Sequence, residues 1–263
     1  MARIVSIHSF RGGTGKSNTT ANLATTIASR GNRVGIVDTD IQSPGIHVVF
    51  NLQQDGATLN DYLWGKCEIE QAAYDVGAEL TLSDDHKGLR QGALYLVPSS
   101  IKAGDIARVL REGYDAGLLN DGYNGLIERL KLDYLFIDTH PGLNEETLLS
   151  ISVSDILILL LRPDRQDFQG TAVTVDVARK LGIPRLVLVV NRVLESFDFA
   201  EVRRQVETTY NATVGGVLPN SDDIMRLASG DVFSLRSPNH PWSTEIFRIA
   251  DHIMAEELET TQA

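Results

Sequence analysis

The segment Phe10-Arg11-Gly12-Gly13-Thr14-Gly15-Lys16-Ser17 decides how the rest of the chain reads. It follows the β-branched run Arg3 to His8. It precedes Asn18 to Ser29, where Ala21, Ala24, Ile27 and Ala28 recur at helical spacing and Gly31 supplies a stop. Gly12, Gly13 and Gly15 let the backbone turn tightly enough to aim successive N–H groups inward, and the following helix adds the positive end of its dipole. Phosphate is the natural ligand of such a loop. Lys16 supplies a mobile ammonium for the β and γ phosphates and Ser17 a hydroxyl for a magnesium ion, with Thr14 and Asn18 completing the cradle. A strand before and a helix after distinguish this arrangement from a chance Gly-Lys-Ser.

Beyond the loop, short apolar runs alternate with segments of helical period, the pattern of an α/β fold with a mostly parallel central sheet and helices on both faces. Strands are expected at Arg3 to His8, Val34 to Val37, Leu94 to Val97, Tyr134 to Ile137, Asp155 to Leu161, Leu186 to Val190 and Thr213 to Val217. Continuous runs such as Ile156 to Leu161 suit strands covered on both faces. Further helices are expected around Phe199, Val202, Val206 and Tyr210, with Arg203 and Arg204 off the apolar stripe, and around Trp242, Ile246, Ile249 and Ile253. From Gly56 to Gly92 only a short helix at Thr58 to Trp64 and a strand at Glu79 to Leu82 stand out. With 263 residues, 43% of them apolar, one P-loop domain spanning residues 1–263 is expected.

A single cysteine, Cys67, leaves no intrachain disulfide and fits a reducing compartment, so a cytoplasmic protein is expected. The N-terminus has no apolar stretch of signal-peptide length, and Ile156 to Leu161 falls far short of the ~20 residues of a membrane span. The net charge of -11 argues against a surface that attracts nucleic acid or anionic lipid everywhere; such contact would need a local patch.

The loop has the form basic-Gly-Gly-x-Gly-Lys-Ser, which resembles the ParA/MinD family of deviant Walker A ATPases. Three more segments carry the resemblance across most of the chain. Val37-Asp38-Thr39-Asp40-Ile41-Gln42 is similar to the family's first switch, Phe136-Ile137-Asp138-Thr139-His140-Pro141-Gly142 to its Walker B strand and second switch, and Val189-Val190-Asn191-Arg192 to its base-recognition strand end. The resemblance implies a P-loop ATPase that uses ATP and Mg2+ and forms a homodimer around two ATP. It also implies that Asp40 orients the attacking water while Asp38 supports the magnesium hydration shell.

The residues themselves agree with those roles. Positions 38 and 40 project from the same side of an extended strand end, so they can share one magnesium-water cluster; the alternative is a turn that caps the next helix. Asp138 ends a buried apolar run, where a lone carboxylate is costly without a cation. Phosphoryl transfer needs such positioning and charge neutralisation more than covalent help. Gly142 can bring its N–H to a γ-phosphate after the bend at Pro141, while His140 reads as a packing or hydrogen-bonding residue of the loop and not as a base. Asn191 can both donate to and accept from adenine, and the Asp of a guanine site is replaced by Leu194. Pro219 resembles the family residue beside the base, although a turn proline has the same look.

Arg11 stands where the family carries a lysine that reaches the partner's nucleotide. Arginine keeps the charge and adds a planar fork, so it is expected to act in trans; the alternative is a structural salt bridge, with a cation at Arg162 or Arg165 serving the phosphates. The absent lysine also resembles the carboxysome-positioning ATPases of the McdA type. Family members use the ATP state to hold nucleoid DNA or the inner membrane, while an adaptor protein stimulates hydrolysis. From Ile249 to Ala263 the chain has Asp251, Glu256, Glu257 and Glu259 and no Lys or Arg, so a basic membrane helix is not expected. Non-specific double-stranded DNA is the expected surface, giving a nucleoid-associated protein. The candidate contacts are Arg179, Lys180 and Arg185, then Arg203 and Arg204, then Arg226, Arg236 and Arg248, doubled by dimerisation. Membrane positioning and small-molecule amide ligation on the same fold are the alternatives. If Arg11 acts in trans, Arg11→Ala abolishes ATP-dependent dimerisation or turnover, measured by light scattering and phosphate release; normal values of both would remove that role.

Overall fold

Ile156, Ile158 and Leu160 join one apolar cluster while Leu157, Leu159 and Leu161 join another, so a single strand contributes alternate side chains to two faces, both buried. That is why the run carries no polar alternation. The computed structural model describes residues 2–78, 80–83, 86–87, 89 and 92–255, with the backbone alone at 81–83 and 86–87.

The elements are β1 Arg3–His8, α1 Lys16–Ser29, β2 Arg33–Asp38, α2 Ile46–Val49, α3 Leu59–Leu63, a 3-10 turn Ile69–Ala72, β3 Tyr74–Asp75, β4 Thr81–Ser83, β5 His86–Lys87 and β6 Ala93–Val97. They continue with α4 Ala103–Glu112, α5 Ala116–Leu130, β7 Tyr134–Asp138, α6 Glu145–Ser152, β8 Ile156–Leu161, α7 Arg165–Lys180 and β9 Arg185–Val193. Last come α8 Phe199–Tyr210, β10 Thr213–Pro219, α9 Asp222–Leu227, α10 Phe233–Arg236 and α11 Pro241–Met254. All seven expected strands are present: β1 keeps its expected bounds, β8 starts one residue later, and the other five are longer by one to four residues. The expected helix at Thr58 to Trp64 is α3, and the expected strand at Glu79 to Leu82 is β4, with Glu79 outside the described residues.

Eight strands lie in the order β10-β9-β8-β1-β7-β2-β6-β3, and β4 and β5 form a separate hairpin. Every pairing in the large sheet is parallel except that of β3 on β6. The β3 edge and the hairpin escape a reading by periodicity because strands of two or three residues have no period to detect. One face is covered by α1 and α11 through Leu23, Ala24, Ile27, Ile246, Ile249 and Ile253. The other is covered by α5 through Leu119, Tyr123 and Leu126, and by α7 and α8 through Val175, Ala178, Val206 and Tyr210.

The position of β1 between β7 and β8 places the site. The chain leaves β1 for β2 on one side and later reaches β8 on the other, so the loop after β1 sits at the switch point where such sheets open a crevice beyond their carboxyl ends. Register brings Ile7, Asp38 and Asp138 level at that edge, Asp138 pairing with Ile7 on one side and Asp38 on the other. Phe136, fully buried two residues before Asp138, holds the middle strand in place. Phe136→Ala is expected to lower unfolding stability by about 3–5 kcal/mol, read from urea titration; a loss below about 1 kcal/mol would mean that the centre of the sheet repacks around the gap.

Candidate functional site

The loop after β1 turns through Gly13 (φ 75°) and Gly15 (φ 97°), and α1 starts at Lys16. At Gly15 the glycine is required twice over: its φ is left-handed, and a Cβ there would come 2.5 Å from the Asn191 side-chain nitrogen. That nitrogen donates to the Thr14 carbonyl at 2.8 Å, while the Asn191 side-chain oxygen accepts from the Arg192 N–H at 2.8 Å. Asn191 therefore braces the phosphate loop, a role not read from the sequence, and keeps a second amide N–H for a further partner. Asn18 turns outward from the loop and donates to the Ser229 hydroxyl at 3.1 Å.

Beneath the loop lie two carboxylates. Asp38 is 0% exposed and Asp138 1% exposed, on neighbouring strands in direct register. Asp138 accepts from the Thr20 hydroxyl at 3.1 Å, and Asp38 Oδ1 from the Asp40 N–H at 3.0 Å, but Asp38 Oδ2 is buried with no partner. Burial pushes the Asp138 carboxyl up to about 6, with the Lys16 ammonium and the Ser17 and Thr20 hydroxyls opposing the rise. Burial also raises Asp38, reinforced by the charges of Asp138 and Asp40. Two adjacent buried carboxylates with an unpartnered oxygen form a donor set that a divalent cation satisfies. Among the described residues no three His, Cys, Asp or Glu side chains are grouped to hold a metal by themselves.

Asp40 caps the turn after β2, accepting from the Ser43 N–H at 3.1 Å, and the same Oδ1 lies 2.6 Å from His140 Nδ1. His140, expected to pack or hydrogen-bond in its own loop, instead reaches across to Asp40 in the loop after β2. Next to it, Thr139 donates to the Ile7 carbonyl at 2.9 Å and lies 2.8 Å from His8 Nδ1, which fixes His8 as the donor of that bond. Burial drives His8 down to about 3, aided by Lys16 and His140, so the ring stays neutral. Sequence reasoning passed over His8, Thr20 and Thr139; only the position of Thr20, one turn beyond Lys16, hinted at its role.

The Gly142 N–H donates to the Ser9 carbonyl at 3.1 Å, so contact with a γ-phosphate would require that bond to open. Gly12 lies against Pro141, whose ring carbon would be 3.8 Å from an added Cβ. Arg11 is engaged within its own chain, 3.4 Å from Asp167 and 3.6 Å from Asp164. Asp167 is buried, and its carboxyl is held down against burial by three hydrogen bonds from Arg162. The salt-bridge alternative for Arg11 is thus the arrangement within one chain, and Arg162 is itself committed to Asp167. Pro219 lines a cavity of about 490 Å³ with Leu194, Asn220, Ser221 and His240, beyond the strand that ends near Asn191.

The arginines considered for DNA are mostly committed. Arg179 donates to the Tyr210 and Asn211 carbonyls, Arg185 to the His252 carbonyl and Arg203 to the Val214 carbonyl. Arg204, Arg226, Arg236 and Arg248 pair with Glu201, Asp223, Asp231 and Glu245.

The profile of the CobQ/CobB/MinD/ParA nucleotide binding domain matches residues 5–233. An uncharacterized ATP-binding protein of Methanocaldococcus jannaschii is 28% identical over 98% of this chain and 90% of its own length. The septum site-determining protein MinD of Bacillus subtilis is 25% identical over 98% of this chain and 91% of its own. Among solved structures, Pyrococcus horikoshii MinD complexed with Mg-ADP overlays with a TM-score of 0.79 at 22% identity, covering 97% of this chain and 98% of that one.

The raised Asp138 carboxyl has a signed consequence. Its folded value lies above its unfolded one, so the folded state binds the extra proton, and its contribution to stability is present below about pH 4 and lost as pH rises through about 6. Without magnesium and nucleotide, the melting temperature of the unaltered chain relative to Asp138→Asn is expected to fall between pH 4 and pH 6. A difference independent of pH would show that Asp138 keeps an ordinary carboxylate value.

Proposed function

The chain belongs to the CobQ/CobB/MinD/ParA nucleotide-binding family, and from that premise we propose that it is a magnesium-dependent ATPase that switches by closing into a homodimer around two ATP. The observation that carries this reading is the level pair of buried carboxylates, Asp38 and Asp138, beside Lys16 at the switch point of the sheet. Bound magnesium would neutralise charge between the β and γ phosphates. The glycine loop and the start of α1 bind the phosphates through backbone N–H groups, and Lys16 adds its ammonium. Ser17 offers its hydroxyl to the ion, with Asp38 and Asp138 behind its water shell. Asp40 orients the attacking water through the oxygen not used by Ser43 and His140. Asn191 and Pro219 flank the adenine, and Gly142 reports loss of the γ-phosphate by returning to Ser9. Arg11 leaves Asp164 and Asp167 to reach the partner's nucleotide on closure.

The same reading takes duplex DNA as the surface held in the ATP state, with a cargo such as a plasmid, a chromosome or a carboxysome-type microcompartment attached through an adaptor that stimulates hydrolysis. Support comes from α11, whose Ile246, Ile249 and Ile253 are fully buried, leaving no apolar stripe on that helix for a bilayer. Asp251 on its outer side pairs with Arg30 at 2.8 Å. Because most candidate arginines are internally paired, the DNA contact rests on exposed Lys180 and on arginines released from acidic neighbours, summed over two copies.

The test follows ATP turnover together with anisotropy of a random-sequence duplex, using the unaltered chain and Asp40→Ala, under ATP and under ADP. Hydrolysis is expected only from the unaltered chain, and DNA binding only with ATP, persisting in Asp40→Ala and falling steeply between 50 and 200 mM salt. ATP-dependent dimerisation without DNA binding would remove the DNA surface and leave the switch; absence of turnover would remove the ATPase.

A further inference from the structure

Asp40 and His140 stand 100 positions apart in sequence and meet at 2.6 Å. The contact joins the loop after β2 to the loop after β7, the two segments that flank the phosphate site. A carboxylate oxygen accepts, so the His140 Nδ1–H is the donor and Asp40 Oδ1 the acceptor of this bond. The distance is that of a strong, charge-assisted bond. Both bonds to Asp40, from Ser43 and from His140, fall on Oδ1. One oxygen is thereby fixed from two directions, and Oδ2 is the one left for water.

The imidazole is held from its own backbone. The His140 carbonyl accepts from the Thr147 hydroxyl at 3.3 Å, at the first turns of α6. On the other side, Thr139 is tied to β1 through the Ile7 carbonyl and His8. The ring therefore reaches Asp40 from a frame anchored to both β1 and α6, and Asp40 follows Thr39, whose N–H and hydroxyl both donate to the Asp138 carbonyl, at 2.9 and 3.0 Å. His140 is 22% exposed and Asp40 13%, shielded enough for the bond to hold against competing water.

We propose that His140 is the positioning residue of hydrolysis: by donating from Nδ1 to Asp40 Oδ1 it orients the carboxylate that aligns the attacking water, and it clasps the two switch loops so that this alignment exists only when both are in place. The inference rests on the reading of the site as an ATPase. It assigns His140 no proton transfer and no contact with nucleotide.

Asparagine and glutamine separate this role from a structural one, because Asn carries an amide N–H close to the Nδ1 position and Gln carries one close to Nε2. His140→Asn, His140→Gln and His140→Ala are compared by kcat, KM for ATP, affinity for a fluorescent ATP analogue, and melting temperature. Expected are a loss of about tenfold or more in kcat for Ala and Gln, recovery of most of it by Asn, and ATP affinity within twofold throughout. Equal rates for Asn and Gln, a wild-type kcat in Ala, or a loss confined to ATP affinity would each overturn the positioning role. Should the unaltered chain not hydrolyse ATP, the proposed function falls and this inference with it.

Discussion

Two carboxylates buried side by side are the constraint around which the site is built. Asp38 and Asp138 end adjacent strands at the same level, within a sheet whose faces are mostly apolar. Burying an ion costs several kcal/mol even after relaxation, and two of like sign raise the cost further. Nothing in the hydrophobic core offsets it; the compensation has to come from cations and donors at the carboxyl edge. Lys16 and Thr20 supply part of it from α1, which explains why that helix is fastened so firmly beneath the loop, with Thr20 bridging the Lys16 carbonyl and Asp138. The unpartnered Asp38 Oδ2 marks the part left over.

The loops around this pair are held by bonds to one another. Gly142 spends its N–H on Ser9, Asn191 spends one amide hydrogen on Thr14, and Arg11 spends its guanidinium on Asp164 and Asp167. Each partner belongs to the loop after β1 or to the segment after β8. The site is thus a closed circuit of modest bonds around two costly charges, a condition in which binding a cation and phosphates can reset several loops at once. Arg11 fits this pattern, partly exposed and paired at 3.4–3.6 Å with exposed Asp164 and buried Asp167.

Much of this was legible before any coordinates. Short apolar runs alternating with helical segments, and continuous ones such as Ile156 to Leu161, announced a doubly covered parallel sheet, and the glycine spacing located the phosphate loop. The carboxylates at 38, 40 and 138 were visible as charges closing apolar runs. What was not legible depends on strand order. That β1 separates β7 from β8, and that Asp38 faces Asp138, follows from register and has no local signature. The same holds for His8 and for the meeting of His140 with Asp40, since a lone histidine near a strand end has many ordinary uses. Asn191 shows the limit from the other side: its chemistry suits a base, but one amide hydrogen and its carbonyl oxygen are engaged by backbone. For the basic residues, sequence could count charges but could not reveal that neighbouring acids and helix-end carbonyls already claim them.

If the buried pair is kept for a magnesium nucleotide, binding is linked to proton release. Preformed Mg-ATP is titrated calorimetrically into the chain at pH 6 in two buffers of different ionisation enthalpy, with Asp38→Asn as the comparison. Protons are expected to be released on binding, because the arriving cation lowers carboxyls that burial had raised, with a smaller release in the variant. Binding with no proton release, or with the same release in both proteins, would contradict it.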